Sequence, residues 1–130
     1  MVCLVNWTRR HAGLPGLRWS PVLGRAAGVK ANVIASCGDF SHYSCGTRWP
    51  TAAASSARYE VWGENLYYGG RQVASARAAL LAWLRSPEHR AVLLGRSWRD
   101  IGVTVRAGST LDGNADVSIW VLEVAGRSGR

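Results

Sequence analysis

The chain has no long apolar run. Its longest, Ala78 to Leu84, falls far short of the roughly 20 residues a membrane-spanning helix needs. A secretory leader pattern is also missing: Met1-Val2-Cys3-Leu4-Val5 passes almost at once into Asn6-Trp7-Thr8-Arg9-Arg10, without an apolar segment and a small-residue cleavage site. The sequence is thus expected to be cytoplasmic or a trimmed piece of an exported protein. Cysteines number only three and form no Cys-x-x-Cys pair, which argues against a zinc ribbon. Of 16 basic residues only Lys30 is a lysine, and no charge run exceeds Arg9-Arg10. Without an RRM, KH or helix-turn-helix signature, the net charge of +8 reads as scattered surface charge, and nucleic acid is not an expected partner. Internal repeats and linkers are absent as well.

What is present suits one globular domain. The 130 residues are 48% hydrophobic with seven Trp, enough to bury a core without metal staples. The domain is expected over residues 1–126, with a short basic tail at 127–130. Cys37 and Cys45 flank Gly38-Asp39-Phe40-Ser41-His42, a loop that a disulfide could close in an oxidising compartment; two buried free thiols are the other reading. Cys3 is expected as a buried small hydrophobe on a first helix.

Local signals divide the chain into helices first and strands late. Residues 3–13 place Leu4, Val5 and Trp7 on a short amphipathic helix that stops at Gly13, with His11 exposed in its last turn. Ser20-Pro21 is a cap followed by a first-turn proline, opening an alanine-rich core helix that Gly38 ends. Residues 46–58 read as a loop with one helical turn. Val61 to Tyr68 reads as strand residues broken by a turn at Gly63-Glu64-Asn65, closed by Gly69-Gly70. Helical periodicity resumes over 72–85, and Ser86-Pro87 starts a further short helix ending at Gly95. Residues 101–105 and 117–124 are strands, joined as an antiparallel hairpin through Leu111-Asp112-Gly113-Asn114. The order predicts an α+β fold, without βαβ alternation, around an antiparallel sheet.

Three side chains carry candidate chemistry. With Ser86 as cap, His89 falls at the third helical position, where the helix dipole disfavours the imidazolium and leaves a neutral ring, as a ligand or base requires. Glu64, between Gly63 and Asn65 and flanked by Trp62 and Tyr67-Tyr68, is expected to be partly enclosed and to need a partner. That partner is either an imidazole or one of the many arginines. His42, after the cysteine-flanked turn, could bring in a second imidazole, and the three could hold Zn²⁺ or only a water network.

The ordered set of strings resembles the CAP superfamily, which takes in cysteine-rich secretory proteins, antigen 5 and plant pathogenesis-related 1 proteins, here in its bacterial SCP-like form. The strings are Asn6-x-x-Arg9, Gly13-Leu14, Leu17-Arg18-Trp19, Phe40-Ser41-His42, Gly63-Glu64-Asn65-Leu66, Trp83-x-x-Ser86-Pro87-x-His89-Arg90, Ile101-Gly102-Val103 and Trp120-Val121. The resemblance implies an α-β-α sandwich, with a small antiparallel sheet between helical layers and a surface cleft. Residue by residue, His42, Glu64 and His89 match three of four cleft positions. Where many eukaryotic members carry a second Glu, this chain has Ser86. The resemblance also implies export, with which a Cys37–Cys45 bridge agrees.

These readings converge on a secreted or cell-surface binding module, not expected to be catalytic in view of Ser86, whose cleft is shaped by His42, Glu64, Asn65, Ser86 and His89. Its expected partner is a lipid, a cell-envelope component or a protein. Apolar grooves beside the helices are expected to take part, and the basic surface suits anionic envelopes. The chain is expected to be monomeric and not transmembrane. An alternative is a metal-assisted hydrolase in which His42 and His89 hold Zn²⁺ or another divalent cation and Glu64 acts as base. A nucleic-acid module comes third.

Overall fold

The computed structural model describes residues 1–46 and 59–127. The loop reading for 47–58, and the tail beyond Arg127, lie outside the described residues. Along the chain run α1 (Val2–His11), β1 (Arg18–Trp19), α2 (Pro21–Cys37), a short 3-10 turn (Ser44–Gly46), β2 (Val61–Gly70), a second such turn (Arg71–Val73), α3 (Ala76–Arg85), α4 (Pro87–Leu93), β3 (Asp100–Leu111) and β4 (Asn114–Gly126). The strands form one sheet in the order β1-β3-β4-β2. No helix among the described residues is long and apolar enough to cross a membrane.

Helices cover the sheet on both faces. On one side, Ala27, Ala31 and Ile34 of α2 pack with Leu66, Leu111, Val117, Ile119 and Val121. On the other, Val5 of α1, Ala79, Leu80 and Trp83 of α3, and Leu93 of α4 pack against Ile101, Leu122 and Val124. The fold is the expected α+β sandwich, with one correction: β1 pairs with β3 in parallel, so the sheet is mixed. A two-residue strand is too short to show any period in sequence.

Both serine–proline helix starts fall where expected, although only Ser20 makes a side-chain cap bond. Ser20 Oγ accepts from Leu23 N, with Pro21 in the first turn, and Gly38 closes α2. Ser86 is the N-cap of α4, followed by Pro87. The hairpin turn also stands, with Leu111 opposite Asn114, although both strands run further than expected.

The break expected in β2 does not exist. Val61 to Gly70 pairs without interruption with Gly126 to Val117 of β4, so Glu64 lies in mid-strand and not in a turn. Gly63 serves packing instead. A Cβ there would sit 3.1 Å from the Trp98 ring and 3.3 Å from Val92, so glycine lets α4 and Trp98 close down on the strand.

Two signature residues of α1 act as clamps. Asn6 imitates a peptide: its Nδ2 donates to Leu17 O (3.0 Å) and its Oδ1 accepts from Leu17 N (2.7 Å). Arg9, expected among the surface charges, is fully buried. It donates to Pro15 O (3.0 Å), Leu93 O (2.8 Å) and Gly95 O (3.0 Å), tying α1 to the end of α4. Cys3 corrects a second expectation, being exposed and not buried. Of the apolar trio on α1 only Val5 enters the core; Leu4 and Trp7 are 38% and 57% exposed.

Candidate functional site

The site grows from the edge strand β2. Side chains alternate across a strand, so Glu64 shares with Leu66 and Tyr68 the face that looks toward α2, while Asn65 points to the α3–α4 side. Glu64 stands directly opposite Glu123 of β4. Glu123 is fully buried, and the Glu64 side chain is only 7% exposed.

Two carboxyls placed side by side in a core must share a proton or gain cationic neighbours. Here Lys30 and His42 are the cationic neighbours. Burial pushes the Glu64 carboxyl up, but hydrogen bonding with His42 and Glu123, with the charges of Lys30 and His42, outweighs it and holds Glu64 below the usual carboxylate range. Held in that direction, Glu64 is the anion of the site at neutral pH.

His42 rests on that anion. Its Nδ1 lies 2.7 Å from Glu64 Oε1, while its side chain stays 54% exposed. The backbone of the same residue is held too, as Lys30 Nζ donates to His42 O at 2.7 Å. Lys30 is 5% exposed, and burial pulls its ammonium below the usual lysine range against the opposing effect of Glu64, Glu123 and Asp39. The loop carrying His42 is fastened at both ends by the Cys37–Cys45 disulfide, and Asp39 Oδ2 accepts from Cys45 N at 3.0 Å. The bridged reading of these cysteines therefore holds.

His89 sits at the third position of α4 as expected, half-buried, with Nδ1 2.9 Å from Ser86 Oγ. Asn65, fully buried, donates to His89 O at 2.9 Å and so fastens α4 to β2 from below. The five expected site residues thus form two groups around one strand: His42 with Glu64, and Ser86 with His89 over Asn65. Both imidazoles spend Nδ1 on a protein partner, which leaves each Nε2 as the ring atom for outside chemistry.

Among the described residues no group of three or more His, Cys, Asp or Glu side chains is placed to hold a metal ion.

Sequence reasoning missed Glu123 and Lys30. Glu123 read only as one residue of a strand. Lys30 did carry a signal, since it falls on the face of α2 that holds Ala26, Ala27 and Ile34, where a lone lysine needs a buried acceptor.

A mixed sheet between helical layers, with a histidine–carboxylate pair beside its edge strand, is the architecture of a CAP domain. The sequence profile of the cysteine-rich secretory protein family, CAP, matches residues 2–123, and the chain belongs to that family. Among curated proteins no sequence match is found. Solved structures share the fold. An outer surface protein of Borrelia burgdorferi is 21% identical with a TM-score of 0.80, over 98% of this chain and 90% of that one. An extracellular SCP-domain protein of Bacillus anthracis is 22% identical with a TM-score of 0.73, over 97% of this chain but 39% of that one. A cysteine-rich secretory protein of Staphylococcus aureus is 16% identical with a TM-score of 0.70, over 97% and 36%.

Proposed function

We propose that this CAP domain is a binding module working outside the cytoplasm, and that it recognises a cell-envelope component through the cleft beside β2. One observation carries the reading: His42 is fixed at both its ring and its backbone, by Glu64 and Lys30, yet its side chain remains 54% exposed. A group held rigid and left facing solvent meets a ligand with little ordering cost. His42 is the recognition group, Glu64 sets its orientation, and His89 with Ser86 forms the opposite lip.

The location is supported by the Cys37–Cys45 disulfide, a bond that persists in oxidising compartments. It is also supported by fold relatives described as outer surface or extracellular proteins. Hydrolysis has no comparable support. Among the described residues no carboxylate hydrogen-bonds His89 to orient it toward Ser86, whose contact with that ring joins a helix cap to the third helical position.

An array of envelope glycans, sterols and phospholipids, probed with wild type, His42→Ala and Glu64→Gln, tests the proposal. A ligand whose affinity falls at least tenfold in both variants is expected. A ligand bound equally by all three would remove the cleft from the account.

A further inference from the structure

The opposite layer of the molecule, away from His42 and Glu64, carries a feature the cleft does not use. A trough runs between α1 and α3. One part, about 350 Å³, is lined by Leu4, Trp7, Thr8, Arg77, Leu80, Leu81 and Leu84. A second part, about 460 Å³, shares Thr8 and Leu84 with the first and adds His11, Arg90 and Leu94. Its rim is apolar and open to solvent: Leu4 is 38%, Trp7 57% and Leu81 39% exposed. Trp7 is braced by His11, whose ring stacks on it at 3.8 Å and whose Nδ1 lies 2.9 Å from Trp7 O.

The charge of this layer is one-sided. Arg10, Arg77, Arg85 and Arg90 are all exposed on α1, α3 and α4. Neither α1 nor α3 contains an acidic residue, and Glu88 is the only one on α4. Other carboxylates are engaged elsewhere, Asp39, Glu64 and Glu123 around the cleft and Asp100 with Arg18.

We propose that the α1–α3 face docks on the surface of an anionic phospholipid bilayer. Trp7, Leu4 and Leu81 sink to the boundary between headgroups and acyl chains, and Arg10, Arg77, Arg85 and Arg90 meet the phosphates around them. A rim of Trp and Leu beside long cationic side chains suits a medium that is apolar inside and anionic outside. A nucleic acid would answer the arginines but not the leucines, and a wholly apolar partner would strand the charges. This docking needs neither His42 nor Glu64, which lie on the other side of the sheet, although Arg85 and Arg90 adjoin Ser86 and His89 of the proposed cleft lip.

Co-sedimentation with vesicles of phosphatidylglycerol and phosphatidylcholine, against phosphatidylcholine alone, tests it. Wild type should sediment at least fivefold more with the anionic vesicles, and that excess should fall as salt rises from about 0.1 M to about 1 M, where the Debye length shortens to about 3 Å. Trp7→Ala with Leu81→Asn, and separately Arg77→Glu with Arg85→Glu, should each remove most of the binding. Arg25→Glu with Arg106→Glu makes the same charge change on exposed residues outside this face and should retain most of it. Circular dichroism establishes that each variant is folded, and Trp7→Phe should weaken quenching of the wild-type fluorescence by brominated lipid. Equal loss in the control pair, no preference for anionic vesicles, or binding only to monomeric lysophosphatidylglycerol would overturn the proposal.

Discussion

Lys30 and His42 are joined by a hydrogen bond from a buried ammonium to a backbone carbonyl, 2.7 Å long, which ties α2 to the disulfide-closed loop that follows it. The lysine is also one of the charges that keep Glu64 ionised. Removing it with Lys30→Met should therefore do two things at once. The Glu64 carboxyl should move up toward the ordinary carboxylate range in a carbon-detected NMR titration. Amide exchange over residues 39–46 should quicken. An unmoved Glu64 titration would mean that Lys30 does not act on the pair.

Acid should weaken the domain through Glu64. Its folded value lies below the ordinary 4.5, so the folded state binds fewer protons than the unfolded chain in this range. The stabilisation is complete above about pH 4.5 and is lost as pH falls through the folded value. Thermal denaturation between about pH 2 and pH 7 should show this slope, and Glu64→Gln should flatten it.

Arg9 should prove a structural keystone. Its guanidinium is fully buried, with three carbonyl partners on two segments. Truncation to Ala leaves those carbonyls unmet and should cost about 3 kcal/mol in urea denaturation. Arg9→Lys should recover little, because a single ammonium cannot span the fork that reaches Pro15, Leu93 and Gly95.

Asn65 links the two halves of the site. Asn65→Ala should cost about 1–3 kcal/mol, since the His89 carbonyl loses its donor in a covered position. The effect to look for besides stability is a shift of the His89 ring resonances, with those of His42 unchanged.

Opening the Cys37–Cys45 bridge should lower stability by about 2–3 kcal/mol, the loop-closure entropy expected for so short a loop. Thermal melts with and without reductant would measure it, using Cys37→Ala/Cys45→Ala as the reduced reference.

Much of this molecule could be read from its letters, and the reason differs from element to element. Ser20-Pro21 and Ser86-Pro87 announced helices correctly because capping is settled within a few residues. Gly63 misled because its cause is tertiary: Trp98 and Val92 occupy the space a side chain would need. His42, Glu64 and His89 stood out by context, but Glu123 acquires meaning only once β2 and β4 are in register. Arg9 and Lys30 read among the scattered surface charges and are buried; the carbonyl partners of Arg9 leave no mark in the sequence, whereas Lys30 is marked by its place on the apolar face of α2.

The most direct test of the cleft is to map where a ligand lands. With the strongest-binding envelope component from the array, amide and imidazole NMR shifts should change most at residues 39–46 and 61–66 and at His89, and the His42 ring should respond at Nε2 while Nδ1 keeps its bond to Glu64. Shifts that leave these residues unmoved would contradict the account.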